Sequence, residues 1–476
     1  MIKAVSNPVA INSTKRNLIV IVVPRARTAG WEPNRFSVVA SCIGSCCLLV
    51  KPKFADLRGS LKLTVRCSTW ICQMPQRIAR LALLLGLITA VGPFAIDIYL
   101  PALPTLGASL QASPAAVQMS LTVFFMIIGV CQLFYGPLSD VFGRKPPIYA
   151  GLVIFAIGSV GCALAPTIEV LIGFRAVQAF GACAGMVIPR AIVRDLYTGH
   201  EAARLMALLM LVMSVSPILA PLAGSLVISI WSWREVFAVL AVVAVLCLVM
   251  TAVQLPETHP AERRLGKTLG QAFGSYGALL RDPVFTGLSV VCGFGLATFF
   301  VFIGSAPFVY IEFFGLTPTQ FSLCFALNAA SFFAMSQLTA RLSARFGLAP
   351  LIRWSVVGVA AVMSLLAATT LWGDSLGLMM GLLFIGFGFL GLLLPAAGVL
   401  SLEDHGAVAG SASALLGAIQ MVTAAVAMTL VGIFADHTPA PMLIGIALCA
   451  LAAMLTTLWT LRRLPAHLVS SVPPSS

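Results

Sequence analysis

The chain has 476 residues; 59% are hydrophobic and only 9% charged, with 29 Lys/Arg against 16 Asp/Glu. So much apolar side chain exceeds what a water-soluble core buries, and the composition points to a lipid-embedded fold. The net charge of +13 would suit nucleic acid, yet the excess is concentrated at one end without a binding motif, so no nucleic-acid partner is expected.

Residues 1–76 hold 11 of the basic residues, two acidic ones and five of the twelve cysteines. The apolar run at 36–50 falls short of the roughly 20 residues a spanning helix needs. It also lies too far along the chain for a signal peptide. The segment reads as a disordered basic arm, a targeting sequence or a mis-assigned start with Met74 as the natural beginning.

Twelve apolar stretches follow, at about 79–106, 115–138, 147–165, 168–190, 202–229, 233–254, 284–313, 318–340, 349–372, 375–400, 407–435 and 440–461. Water is absent from hydrocarbon, so each must satisfy its own backbone as a helix. The expected fold class is an all-α membrane protein of twelve transmembrane helices. Ser113-Pro114 and Thr317-Pro318 read as N-caps followed by proline at the first helical position. Trp231 and Trp233 suit the membrane–water interface.

Alternate connectors differ in charge. Arg144, Lys145, Arg190, Arg194, Arg204, Arg263, Arg264, Lys267, Arg281, Arg341, Arg345, Arg353, Arg462 and Arg463 fall on one side. The other side carries Glu169, Glu312, Asp374 and Asp436, with Arg234 as its one basic residue. The positive-inside rule puts both termini and the long connector in the cytoplasm of a multi-pass bacterial inner-membrane protein.

Span one contains Asp97, followed by Tyr99, Pro101 and Pro104. Asp97 lies about 24 Å into the span at 1.5 Å per residue. Arg175 in span four, running the other way, reaches a similar depth, so the two could meet. Asp97 alternatively caps the outer helix end, and Arg175 alternatively snorkels to the surface. Between spans two and three stands Gly136-Pro-Leu-Ser-Asp140-Val-Phe-Gly143-Arg144-Lys145. A short turn with glycine at both ends and charges of both signs makes a breakable latch. Span five supplies Pro217, Pro221 and Gly224, a kinked helix with small neighbours; kinked packing alone is the other reading.

The long connector, 255–283, begins polar and ends as an amphipathic helix with Leu269, Phe273, Tyr276 and Leu280 on one face. It divides the chain into six-helix units at 77–254 and 284–463, with a tail at 464–476. Ser139, Phe142 and Gly143 recur as Ser343, Phe346 and Gly347, and Pro101 and Pro189 as Pro307 and Pro395. Two related halves around a midplane site are a transporter architecture. Tyr99, Gln178, Phe302, Asn328, Phe387 and Gln420 are candidates to line the central cavity, although phenylalanine in a span also packs or faces lipid. Neither a phosphate loop nor paired His/Cys spacing appears in the sequence, so no metal or cofactor is expected.

The 136–145 string resembles the loop signature of the major facilitator superfamily, with Val141 where a basic residue is usual. The run from Arg175 through Gln178, Gly181 and Ala182 resembles its span-four motif, and Ser216–Gly224 its antiporter motif, with Ala220 in place of glycine. IDIYLPALP, the stretch from Arg190 to Tyr197, WSWREVF and LPETH are similar to the bicyclomycin-resistance (Bcr/CflA) drug-efflux branch. That resemblance implies a proton-coupled antiporter, without catalytic residues, exporting small, mostly apolar compounds as a monomer in the bilayer. Asp97 and Arg175 would handle the proton. The second half departs: Asp140, Arg175 and Asp97 correspond to Ala344, Gly381 and about Ile303. An exporter of a polar metabolite such as an amino acid and, in another class, a passive channel are the alternatives.

Overall fold

The computed structural model describes residues 20–23, 47–54, 61–68, 76–259, 269–371, 373, 375–435 and 438–463. Arg263, Arg264, Lys267, Asp374, Asp436 and the 464–476 tail lie outside the described residues.

Three segments of the N-terminal region form strands: β1 (Val20–Val23), β2 (Cys47–Phe54) and β3 (Leu61–Ser68). They pair antiparallel in the order β1-β3-β2. Val- and Leu-rich segments such as these fit a pleated surface.

The remaining described chain is helical. Span one is α1 (Gln76–Asp97), a 3-10 turn at Leu100–Ala102 and α2 (Leu103–Ser109). Then come α3 (Pro114–Phe142), α4 (Lys145–Ala163), α5 (Ile168–Leu196), α6 (Gly199–Ile230) and α7 (Trp233–Gln254). The connector contributes α8 (Leu269–Arg281). The second half is α9 (Pro283–Pro307) with a π-helical extension at Phe308–Phe313, then α10 (Pro318–Phe346), α11 (Leu348–Ala368), α12 (Leu376–Leu402), α13 (Ala409–Ile433) and α14 (Ala440–Leu461). Twelve spans among the described residues are long and apolar enough to cross a membrane.

The internal repeat is visible in cap geometry. Ser113 accepts from the Ala116 N–H at 3.3 Å to start α3, and Thr317 accepts from Gln320 at 3.2 Å to start α10. Both helices run 29 residues. They end at glycines with positive φ, 94° at Gly143 and 84° at Gly347, where a side chain would be strained. Within the first half α5 packs on α3 and α4, and α7 on α4; within the second, α12 packs on α10 and α11, and α14 on α9 and α11. The halves meet through α3 with α13 and α6 with α10. Phe125 stacks on Phe300 across that seam, centroids 3.9 Å apart.

Three local expectations need correction. The turn expected to begin at Gly136 is absent: α3 stays helical through Gly136 and Asp140 to Phe142, and only Gly143 at its C-terminus turns the chain. Trp231 is exposed, but Trp233 is buried, its indole N–H donating to Ser109 Oγ at 2.8 Å and tying α7 to span one. On α8 Tyr276 and Leu279 are buried and Leu280 is 51% exposed, while the side chains of Leu269 and Phe273 lie outside the described residues. The Tyr276 hydroxyl donates to the Leu133 carbonyl of α3 at 2.9 Å, which turns this face of the helix.

Candidate functional site

Span one breaks immediately after Asp97. Pro101 and Pro104 have no N–H to give, so the helix cannot continue regularly through IDIYLPALP, and the last carbonyls of α1 need other donors. Arg175 meets that need. It is fully buried, and one guanidinium nitrogen donates to the Ala95 carbonyl at 3.0 Å and to Gln178 Oε1 at 2.6 Å. The other reaches Tyr99 Oη at 3.3 Å. The guanidinium carbon lies 4.1 Å from the Phe124 ring centroid and 4.5 Å from that of Tyr99, distances at which a desolvated cation is attracted to a π-face. Gln178 passes the network on to Ser159 at 2.8 Å, and Tyr99 lies 3.2 Å from Ser120 Oγ.

Asp97 is 3% exposed at the C-terminal end of α1, and no ion pair joins it to Arg175. The two residues share the break through the α1 backbone: Arg175 caps it, and Asp97 ends it. The cation suits the negative pole of the helix, whereas an ionised carboxylate there does not.

The same break meets the kinked helix. A Cβ at Gly224 would collide with the Ile98 carbonyl, so only glycine lets α6 lie against it. One turn earlier, the Ser322 hydroxyl of α10 lies 2.9 Å from the Pro221 carbonyl of α6 and 2.8 Å from the Pro318 carbonyl of its own helix, its proton shared between the two. Pro217 and Pro221 both lie inside α6. Span one, α6 and α10 therefore converge at the end of the bundle away from the basic connectors.

At the basic end Arg144 gathers three elements of the first half. Its Nε is 2.7 Å from Asp195 at the end of α5, and Nη1 is 2.7 Å from Asp140 of α3. Nη1 also donates to Ser139 at 2.6 Å. Burial works against the charge of Arg144, but the bonds to Asp195 and Asp140 outweigh it and raise its pKa. Glu257, beyond α7, accepts the backbone N–H groups of Arg144 at 3.0 Å and Lys145 at 3.1 Å, a carboxylate on the N-terminus of α4. Apart from Glu257, which lies at the start of the long connector, these partners belong to the first half.

Sequence reasoning assigned no role to Asp195 or Glu257. The signal lay in the RAIVRDLY and LPETH strings, whose acids stand 51 and 112–113 residues from their basic partners.

The six cavity candidates divide. Tyr99 and Gln178 belong to the Arg175 cluster. Phe302 and Phe387 pack in an aromatic group with Phe299 and Phe325, the Phe302–Phe325 rings stacked at 5.6 Å. Asn328 is fully buried, with no well-formed hydrogen bond on either amide atom. Gln420 is half-buried on α13. A large cavity lies elsewhere. It has a volume of about 660 Å³ and opens at the basic end, its wall including Gly136, Asp140, Arg144, Arg190, Arg194 and Tyr276.

Twelve spans in two repeats, a cavity open at the basic end and helices packed together at the other define a multi-pass membrane transporter. The Major Facilitator Superfamily model matches residues 85–428, and the chain belongs to that family. It is 35% identical over 369 residues to an uncharacterized MFS-type transporter, YdgK, of Bacillus subtilis (strain 168), covering 77% of this chain and 91% of that one. To multidrug resistance protein D of Escherichia coli (strain K12) it is 31% identical, covering 75% and 89%. To a bicyclomycin resistance protein homolog of Haemophilus influenzae (strain ATCC 51907 / DSM 11121 / KW20 / Rd) it is 27% identical, covering 78% and 94%. A solved D-xylose-proton symporter superposes with a TM-score of 0.62 at 17% identity, over 82% of this chain and 98% of that one, a likeness of fold. The family and these relatives are transporters, not enzymes.

Proposed function

We propose that the protein is a proton-coupled antiporter of the bacterial inner membrane, exporting small, mostly apolar compounds by alternating access. The observation that carries this reading is the break in span one, where Asp97, the Arg175 cap and the Gly224 contact of α6 meet. A change of charge on Asp97 alters the electrostatics of a helix end that α6 and α10 close upon. Ionisation costs most where no counter-charge faces the carboxylate in a low-dielectric interior. Taking up a proton therefore favours the closed packing around the break, and losing it favours separation. A substrate in the cavity would enter through the basic end, which the positive-inside rule makes cytoplasmic. One pH unit supplies about 1.4 kcal/mol, or roughly tenfold accumulation per proton. The drug-resistance relatives support the export direction and the substrate class.

Everted membrane vesicles test this. An acid interior should drive uptake of a lipophilic dye by the wild-type protein, and Asp97→Asn should lose the dependence on the gradient while retaining exchange of labelled for unlabelled dye. Gradient-driven uptake at the wild-type rate in Asp97→Asn would remove Asp97 from coupling.

A further inference from the structure

The cavity at the basic end carries more positive potential than export of apolar compounds requires. Arg190 and Arg194 stand one turn apart on α5, both exposed and both in the cavity wall. Among the described residues neither guanidinium has an ion pair or hydrogen bond with another side chain, whereas Arg144 beside them is doubly paired. Two like charges at i,i+4 destabilise a helix unless something between them compensates.

The facing wall belongs to the other half of the molecule. It is the first turn of α13, with Gly410, Ser411 and Ser413 in the lining and no side chain capping the helix. A 3-10 turn at Glu403–Val408 runs into this helix and the Ala409 N–H donates back to the Gly406 carbonyl, but the positive pole of α13 still attracts anions. Between the walls, Gln132 presents an amide Nε2 that is shielded from solvent and lacks an acceptor. Asp140 is the carboxylate in the lining, and Arg144 already neutralises it at 2.7 Å. Val187, Ala191 and Met206 line the same space with apolar surface.

The geometry points to an anion-binding site in this cavity: Arg190 and Arg194 with the N-terminus of α13 hold the phosphate or carboxylate of an amphipathic ligand whose apolar part lies along α5 and α6. Such a ligand touches both halves at once and is released when the basic end closes, which extends the substrate class of the proposed exporter to amphipathic anions. The transport role rests on that exporter reading. Binding does not, because it is measured without any gradient.

The probe is phenyl phosphate, titrated calorimetrically into the full chain in phosphatidylcholine nanodiscs, with phenol as the neutral comparison. Phenyl phosphate should bind at least about tenfold more tightly than phenol, and Arg190→Gln/Arg194→Gln should remove that advantage. Ser411→Asp provides a second variant on the opposite wall. Asp is favourable at a helix N-terminus, so the fold is retained, while the new charge opposes the ligand and should weaken binding about tenfold. If the double Arg variant fails to fold, Ser411→Asp decides. Equal affinity for phenol, or binding unchanged in either folded variant, overturns the site. Repeating the titration with phosphatidylglycerol separates two sources of the same chemistry: suppression identifies a lipid headgroup as the occupant, and unchanged binding a soluble anion, each retaining the anion site.

Discussion

Arg175 illustrates how one side chain can answer several demands in a medium without water. Its planar fork serves the Ala95 carbonyl and Gln178 from one nitrogen and Tyr99 from the other, while two aromatic faces flank it. Lysine offers a point charge on a flexible stem and cannot reproduce that fork. Arg175→Lys should leave the Ala95 carbonyl or Gln178 unsatisfied at a cost of about 1–3 kcal/mol and reduce transport at least about tenfold at matched protein level. Dye uptake in vesicles measures this, and unchanged uptake would show that the fork is dispensable. The sequence made Arg175 conspicuous, because an arginine deep in an apolar span must be satisfied by something. It could not show that the partner would be the Ala95 backbone carbonyl, left without its helical donor where α1 ends at the break. A search for an opposite charge leads to Asp97, whereas helix-end chemistry leads to Ala95.

At the scale of elements, glycines separate contact from permissive positions. Gly224 of α6 touches the Ile98 carbonyl, while a Cβ at Gly136 of α3 would meet nothing within 4 Å. Gly224→Val should pry α6 from span one and raise labelling of a cysteine engineered at the end away from the basic connectors. Gly136→Ala should fold normally and gain roughly 0.5–1 kcal/mol from the helix interior. Equal labelling of the Gly224→Val variant and wild type would show that this packing does not seal that end. The charge network makes a related prediction. Asp140→Asn leaves Arg144 its Asp195 partner, so α3 and α5 stay tied; Asp140→Asn with Asp195→Asn strands a buried guanidinium. Removing partners of a buried charge costs about 3–5 kcal/mol, so the double variant should melt well below either single one. Similar melting temperatures for all three would contradict this. The helices themselves were legible from apolar length, and caps such as Ser113 and Thr317 from local pairs of residues. Glu257 was not, because its partners at Arg144 and Lys145 are brought near only by the packing of α7 on α4.

For the whole molecule, the repeat explains both the symmetry of the frame and the asymmetry of its chemistry. α3 and α10 share length, N-cap and terminal glycine, yet the positions of Arg175 and Asp140 are taken by Gly381 and Ala344 in the second half. Buried charge is thus concentrated in the first half, while the second supplies an aromatic group around Phe302 and Phe387 and the buried amide of Asn328. The cavity was the least legible feature. Its walls come from α3, α5, α6, α8 and α13, and no periodicity in one segment reports which faces of five helices share a space. The central claim is that the charge on Asp97 governs closure around the break in span one. The most direct test labels a single cysteine at Ser411, in the cavity wall, in membranes held at different pH. Wild-type labelling should change with pH as the basic end opens and closes, and Asp97→Asn should label at one constant level over the same range. A pH-dependence in Asp97→Asn that matches wild type would contradict the account.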